Sequence, residues 1–166
     1  MIDIIIDRLT NSILNTISGD QFKTEIIKVT VNEKRISKKD WLFNWNQEIQ
    51  DTKKEVYKLV IENNEEINQG LISITDNDDH IFMNLIESAK FNKGKSKLYE
   101  GVPGNLVAFA CRLSFEKGYD GIVSFIAKTK LIKHYETSLG ATIFRGDQMY
   151  IDTPAALKLI RQYFNK

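Results

Sequence analysis

The chain has 166 residues and a formal net charge of +1, with 42% hydrophobic and 27% charged residues. This balance is ordinary for a globular protein, and it provides no overall field that would draw the chain to nucleic acid or to a membrane surface. The single cysteine, Cys111, excludes an intrachain disulfide, and no segment approaches the roughly 20 apolar residues of a membrane span. We therefore expect one cytoplasmic domain over residues 1–166, with residues 1–20 as a candidate N-terminal extension.

The first thirty residues predict three short elements. Residues 2–6 are apolar enough for a strand, and residues 24–31 have clear strand propensity. Between them, residues 9–17 predict a helix that Gly19 would end, because four apolar side chains recur there at helical spacing: Leu9, Ile13, Leu14 and Ile17.

Both tryptophans lie in residues 37–49, which predict a second helix. Trp41 and Trp45 are four positions apart, so they would share one helical face, and Ser37 and Asp40 are available as N-terminal caps. The simplest interpretation is a helix anchored to the core by two aromatic rings. The alternative is that these rings line a substrate pocket.

Three strands are predicted next, over residues 55–61, 67–75 and 80–89. The segments between them, at 63–64 and 76–79, are rich in Asn and Asp and predict turns. Such short connections favour an antiparallel meander.

The second half of the chain predicts alternating helices and strands. A polar, lysine-rich loop at 90–100 precedes a helix at 106–117 that is apolar on nearly all sides and that Gly118 would end. The strand at 121–127 would then lie parallel to the strand at 80–89, because a helix joins the two.

The last three predicted elements are a helix, a hairpin and a terminal helix. The helix covers 129–139, with Thr129 as its cap and Gly140 as its end, and the hairpin pairs 142–144 with 149–151. Thr153-Pro154 would start the terminal helix and bury Leu157, Ile160 and Phe164. The fold class is therefore mixed α/β, with an antiparallel meander, one parallel strand pair and flanking helices.

The loop Gly101-Val102-Pro103-Gly104 comes directly before the buried helix. Unpaired N–H groups at a helix start, aided by the helix dipole, bind anions, and glycine lets a ligand approach the backbone closely. Taken alone, the loop is equally consistent with a simple turn that caps the helix.

The surrounding sequence resembles the GNAT superfamily of acyl-CoA N-acyltransferases. GVPGNLVAFACRLSFEKGYDG is similar to the family's diphosphate loop, buried helix and following glycine, and LIKHYETSLGA is similar to its tyrosine-bearing segment. The likeness is good over residues 80–142. It implies the GNAT fold, an antiparallel meander with one splayed parallel pair.

Two positions depart from the family's loop pattern, Q/R-x-x-G-x-G/A. Leu98 stands at the Q/R position, and Pro103 stands at the second glycine unless Gly104 takes that place. The loop before the glycines is longer than usual. Asn92 and Tyr99 resemble a long-loop variant of the family.

The resemblance implies direct transfer of an acetyl group from acetyl-CoA to an amine, with no covalent enzyme intermediate and no metal. Tyr135 matches the tyrosine that protonates the departing thiolate, although a tyrosine packed between helix and sheet is the alternative. Glu87 is the candidate base, because burying a carboxylate in an apolar strand is costly; a surface-facing strand end is the alternative. The implied cofactor-binding residues are Ile86, Ser88, Gly101, Val102, Gly104, Asn105, Leu106 and Lys128.

We expect the other polar and reactive residues to have structural roles or to be solvated. Cys111 is expected in the core and His134 on the surface, and His80 belongs to no metal-ligand spacing. The loop lysines are expected to be solvated, with phosphate binding as the alternative: Lys90, Lys93, Lys95 and Lys97.

Two other function classes stay open from the sequence. One is a GNAT-shaped module that binds coenzyme A without catalysis. The other is an RNA- or protein-binding domain that uses the loop lysines and both tryptophans, although the near-zero net charge counts against it. The partner of the enzyme would be an amine-bearing acceptor, with no membrane partner and with nucleic acid disfavoured. Small amines, peptide N-termini, protein lysines and aminoacylated RNA stay open as acceptors. Dimers are common in the family, so a homodimer stays open.

Overall fold

A computed structural model describes residues 1–8, 12–31 and 36–164, and these ranges form ten strands and four α-helices. The strands are β1 (Ile13–Asn15), β2 (Gln21–Phe22), β3 (Thr24–Val29), β4 (Glu55–Ile61), β5 (Gly70–Asp76), β6 (Ile81–Ser88), β7 (Tyr99–Glu100), β8 (Val123–Ile126), β9 (Thr142–Arg145) and β10 (Gln148–Ile151). The helices are α1 (Trp45–Gln50), α2 (Val102–Glu116), α3 (Ile132–Leu139) and α4 (Thr153–Phe164).

Seven of these strands form one sheet in the order β3-β4-β5-β6-β8-β10-β9. Neighbouring strands are antiparallel except β6 and β8, which are parallel. The predicted meander and the predicted parallel pair are therefore both confirmed. A small second sheet joins β2, β1 and β7.

Helix α2 is the centre of the main hydrophobic core. Eleven of its residues are buried, and it packs against β5, β6 and α4. The prediction that this helix is buried on several sides is confirmed, and so is its end, where Gly118 has a φ of 85°. The helix starts four residues earlier than predicted, at Val102, because Gly101 with a φ of 94° serves as its N-cap.

A second, smaller core lies on the opposite face of the sheet and contains both tryptophans. Its buried members are Val29, Trp41, Trp45, Val56, Leu71 and Ala89. Leu71 belongs to this cluster while the next residue, Ile72, belongs to the main core, so the two clusters lie on opposite faces of β5. Both rings are buried as predicted, but the prediction that they share one helical face is wrong, because Trp41 lies before the start of α1.

The elements predicted for the first twenty residues are wrong. Only Ile2 makes a strand-like bridge, to Ala127, and the segment predicted as a helix contains β1 instead. Ile13 is buried while Ile17 is 84% exposed, so the apolar spacing that suggested one helical face does not mark a buried face. Residues 9–11 of that prediction, including Leu9, lie outside the described ranges.

Two further predicted helix starts need correction. Helix α1 begins at Trp45 with Asn44 as its cap, not at Ser37 or Asp40, because the Asn44 side chain accepts the N–H of Gln47. Residues 129–131 form a short 3-10 turn, so Thr129 does not cap α3, which runs Ile132–Leu139 and ends as predicted at Gly140.

Helix α4 starts where predicted but presents a different face to the core. The carboxylate of Asp152 accepts the N–H of Ala155, so the cap is one residue earlier than Thr153. The buried side chains are Ala156, Leu159 and Tyr163, whereas Leu157 is exposed and Ile160 and Phe164 are half-buried. Both sets have helical spacing, and they differ by one residue, a rotation of about 100°.

Candidate active site

A bulge in β6 opens a groove between β6 and β8. The two strands pair only from Ile81 to Met83, and the next residue, Asn84, is the extra residue where the register of β6 against β5 shifts. The Asn84 amide donates to Ser73 Oγ at 3.3 Å and to Thr75 Oγ1 at 3.0 Å. Because a bulge bends its strand, β6 leaves β8 at this point and the last residues of β6 have no partner in β8.

Residues 2–7, which we call the strap, are tied to the β8 side of this groove. The Ile2 N–H donates to the Ile126 carbonyl at 2.7 Å, and the Lys128 N–H donates to the Ile2 carbonyl at 2.9 Å. Ile6 donates its N–H to Nε2 of His134 at 2.9 Å. The strap therefore crosses from the end of β8 to α3.

The strap ends on the start of α2 with a carboxylate. Asp7 Oδ1 accepts the N–H of Gly101 at 3.1 Å, and Asp7 Oδ2 is 3.1 Å from Lys97 Nζ. Pro103, the second residue of the helix, lines the same depression as Asp7 and Lys97. An anionic group thus already occupies the helix start that the sequence predicted as a diphosphate site.

The predicted cofactor residues at the start of α2 differ in which polar groups they leave available to a ligand. Val102 and Gly104 lie in the first turn, where N–H groups have no acceptor within the helix. Asn105 donates its N–H to the Gly101 carbonyl, and its side-chain amide donates to the carbonyls of Ser12 and Gly101. Leu106 is fully buried. The side chains of Asn105 and Leu106 therefore face the protein interior and not the groove surface.

Gly104 is also the contact point between α2 and α4. A Cβ atom at this position would overlap the ring and hydroxyl of Tyr163. That hydroxyl is held in place, since it donates to the Arg8 carbonyl at 2.9 Å. Gly104 is therefore required by helix packing, whatever it does for a ligand.

Tyr135, the predicted acid, is fully buried with its hydroxyl on the strap. The hydroxyl donates to the Ile4 carbonyl at 2.6 Å and accepts the Ile4 N–H at 3.0 Å. Burial raises the pKa of Tyr135 to about 12, so the phenol keeps its proton at neutral pH. The ring packs edge-on against Phe125 of β8.

Glu87, the predicted base, is 2% exposed and accepts several hydrogen bonds. Its donors are the N–H of Leu42 at 2.6 Å, the N–H of Phe43 at 3.1 Å and the indole N–H of Trp45 at 2.8 Å. Lys93 Nζ lies 3.4 Å from the same carboxylate. In this conformation Glu87 fastens the segment before α1 to the sheet.

The remaining predicted cofactor residues lie on the two sides of the groove. Ile86 and Ser88 are on the diverging end of β6, and both are buried. Ser88 Oγ has no hydrogen-bond partner among the described residues. On the opposite side, Lys128 follows β8, and its Nζ pairs with Asp3 of the strap at 3.1 Å.

A cavity of about 290 Å³ lies between the strap and the end of β6. Its wall includes the strap residues Ile4 and Ile5, the β6 residues Glu87 and Ser88, and the loop residue Lys97. The strap therefore leaves part of the groove empty. A larger cavity, about 750 Å³, lies beside the second core, and Trp41 and Ala89 of that core are part of its wall.

The lysine-rich loop, which was expected to be solvated, is held to the sheet by hydrogen bonds. The amide of Asn92 is buried and donates to both oxygens of Gln69, and its own oxygen accepts the N–H of Tyr99. Lys93 and Lys97 point to carboxylates, whereas Leu98 is 39% exposed. Two of the four lysines thus lie at the groove.

The structure also shows the surroundings of Cys111 and His134. Cys111 is fully buried in the main core, as expected, and burial raises the pKa of its thiol. His134 is not on the open surface, because it accepts a hydrogen bond from the strap, and burial lowers its pKa. No group of three or more metal-ligating side chains occurs in the part of the chain that the structure describes.

None of the described helices has the length and apolar content that a membrane crossing needs.

Sequence reasoning did not identify the strap or Asp7 as part of the site. The only local signal was an apolar run with an aspartate at each end, Asp3 and Asp7, which predicted a strand. Their partners are about 90 to 130 positions away in the chain, with separations of 94 for Gly101 and 125 for Lys128. Such contacts leave no periodic pattern in the sequence.

No family model matches the sequence, and no curated protein matches it significantly. Solved structures do match the fold. One is a chain of the KacTA–DNA complex, with a TM-score of 0.56 and 11% identity, covering 82% of this chain and 98% of that chain. Another is a tyrosine-to-phenylalanine mutant of the toxin AtaT bound to the C-terminus of the antitoxin AtaR and acetyl-CoA, with a TM-score of 0.56 and 11% identity, covering 84% and 99%. The chain therefore has the GNAT fold, as the sequence predicted.

Proposed function

We propose that the protein is an N-acyltransferase that transfers an acetyl group from acetyl-CoA to an amine. The observation that carries this proposal is the groove between β6 and β8, which the Asn84 bulge opens and which leads to the start of α2. The same fold holds acetyl-CoA in the AtaT structure, which supports an acyl-CoA ligand here.

In this proposal the cofactor lies along the groove. Backbone groups of Ile86 and Ser88 on one side and Lys128 on the other would hold its pantetheine arm, and the unpartnered Ser88 hydroxyl is a polar group that such an arm could satisfy. The loop GVPGNL would serve as the diphosphate site, through the first-turn N–H groups of Val102 and Gly104 and the positive end of the helix dipole. The carboxylate of Asp7 on Gly101 supports an affinity of this helix start for anions.

Acetyl-CoA supplies a thioester whose carbonyl carbon accepts the amine. The amine lone pair attacks that carbon, the carbon–sulfur bond breaks, and the amine loses one proton. Tyr135 would give its proton to the departing sulfur, since its phenol stays protonated at neutral pH. Glu87 is the proposed acceptor of the amine proton, and the tight contacts of its carboxylate require the segment at Leu42 and Phe43 to shift for that step. Holding the two reactants together is the larger contribution of the fold.

The test is a binding measurement followed by a turnover assay. We expect acetyl-CoA to raise the melting temperature and an amine panel to release free thiol from it. The panel includes small amines, peptide N-termini, protein lysines and aminoacylated RNA. Tyr135→Phe should lower turnover by about 10²-fold or more, whereas Tyr150→Phe, a half-buried tyrosine on β10, should not. Absence of any binding by acetyl-CoA or coenzyme A, to the wild type and to variants of the strap, would refute the proposal.

A second candidate is a module that binds coenzyme A without catalysis. The engagement of both the Tyr135 hydroxyl and the Glu87 carboxylate by protein groups favours it. This candidate predicts stabilisation by coenzyme A, no thiol release with any amine, and no effect of Tyr135→Phe beyond a change in binding.

A further inference from the structure

The strap takes up the polar groups that line one side of the groove. Its backbone uses the Ile126 carbonyl, the Lys128 N–H and the Tyr135 hydroxyl. These groups belong to the end of β8, the residues after it and α3. Any ligand that lies along β8 in the groove needs the same positions.

The last residue of the strap lies at the start of α2, beside the proposed diphosphate site. Asp7 places one carboxylate oxygen on the Gly101 N–H and the other on Lys97 Nζ. A carboxylate and a phosphate have the same charge sign and the same preference for N–H donors, so both cannot occupy one helix start. The strap thus takes the place of an extended ligand along β8 and of an anionic group at the start of α2.

The backbone of the strap is held by single hydrogen bonds and not by a strand ladder, and the side chains of Ile2 and Ile6 are buried in the main core. Only Ile2 forms a bridge with the end of β8, while Ile5 is 54% exposed. The cavity of about 290 Å³ beside it and the unpartnered Ser88 hydroxyl show that it fills the groove incompletely. Release of the strap therefore costs its hydrogen bonds and the burial of two isoleucine side chains, and it is a local opening that leaves the sheet folded.

We propose that the strap is an internal competitor for the acyl-CoA groove: it closes the groove in the free protein and leaves when the cofactor binds. This inference rests on the proposed function. The measured affinity for coenzyme A is then the intrinsic affinity multiplied by the fraction of molecules whose strap is released. Loosening the strap increases that fraction and tightens binding.

The direct test is amide hydrogen exchange on the full chain, with and without coenzyme A. In the free protein the Ile4, Ile6 and Lys128 amides should be protected, because each donates a hydrogen bond. Coenzyme A should remove the protection of the Ile4 and Ile6 amides and leave that of Ile72, at the centre of β5, unchanged.

Two variants loosen the strap from different ends. Asp7→Ala removes a carboxylate with two charge-assisted contacts, and we expect coenzyme A to bind about tenfold more tightly. His134→Ala removes the acceptor of the Ile6 N–H without removing a charge at pH 8, and we expect about fivefold tighter binding. Asp20→Ala, an exposed carboxylate in the turn before β2, is the matched control and should leave the affinity unchanged.

The outcomes separate this inference from the proposed function. Tighter binding in both strap variants, with loss of protection at Ile4 and Ile6, supports the strap as a competitor. If coenzyme A binds while the Ile4 and Ile6 amides stay protected, or binds less tightly to both variants, the inference is wrong and the proposed function stands. If neither the wild type nor either variant binds coenzyme A, the proposed function itself fails.

Discussion

At the scale of single residues, Glu87 shows how a buried charge can organise a site. It is the only carboxylate on β6, and three N–H donors converge on it, two from the segment before α1 and one from Trp45 at the start of α1. Burying a carboxylate is costly unless such donors compensate it, and the donors in turn depend on the carboxylate. Glu87 therefore joins the second core to the edge of the groove.

Glu87→Ala should lower the free energy of unfolding by about 3 kcal/mol, because it leaves buried donors without an acceptor. Chemical denaturation measures this loss. Glu62→Ala, an exposed carboxylate just after β4, should change the stability by less than about 0.5 kcal/mol. A Glu87 variant as stable as the Glu62 variant would show that the convergence of donors contributes nothing to folding.

His134 is a second residue whose environment has a measurable consequence. Burial lowers its pKa below the ordinary value of about 6.5, and its Nε2 must be unprotonated to accept the Ile6 N–H. The contribution of the neutral ring is thus fully present above about pH 6.5 and is lost as the pH falls through the lowered pKa.

His134→Gln keeps a side-chain acceptor but cannot titrate in this range. We expect the wild type to lose stability relative to this variant as the pH falls from 7.5 to about 5, in thermal melts at matched ionic strength. A stability difference that stays constant over this range would mean that His134 has the same pKa in the folded and unfolded chain.

At the scale of elements, local signals predicted most of the fold. The strands of the meander were found from their composition and from the Asn- and Asp-rich turns, and Gly118 and Gly140 ended their helices as expected because both have positive φ. The errors occurred where tertiary contacts decide. The face that α4 buries is set by Tyr163 and its partner Gly104, which no periodicity distinguishes from the neighbouring stripe.

The contact between α2 and α4 gives a prediction with an unusual sign. In an exposed helix, glycine to alanine stabilises by up to about 1 kcal/mol. Gly104→Ala should instead destabilise by about 2 kcal/mol or more, because the added methyl group overlaps the Tyr163 ring. In a Tyr163→Leu background the cost of Gly104→Ala should shrink or change sign, and a double-mutant cycle by chemical denaturation measures this coupling.

If the cost of Gly104→Ala were the same in both backgrounds, the overlap with Tyr163 would not be its cause. Coenzyme A binding, measured in parallel, separates this packing role from the proposed diphosphate contact. Leu98→Ala provides the comparison, since Leu98 is partly exposed and contributes no side-chain hydrogen bond.

At the scale of the whole molecule, the candidate site combines parts that the sequence could and could not reveal. The glycine loop before α2 and the parallel pair were predictable from the residues around them, although α2 starts four residues earlier than predicted. The strap was not, since its partners come from β8, α3, α2 and the lysine-rich loop. The sheet connects these parts to the second core on its opposite face. Strands β4 and β5 contribute side chains to both cores, so each core depends on strands that the other also uses.

This shared sheet predicts that the two cores unfold together. Both tryptophans, Trp41 and Trp45, lie in the second core, so tryptophan emission reports that core, while far-UV circular dichroism reports the helices of the main core. In the wild type the two signals should give coincident denaturation curves, because strands β4 and β5 contribute side chains to both cores. In Glu87→Ala the indole N–H of Trp45 loses its acceptor, so the emission should shift at lower denaturant concentration than the dichroism. Separate curves in the wild type would show instead that the second core opens independently of the sheet on which the candidate site is built.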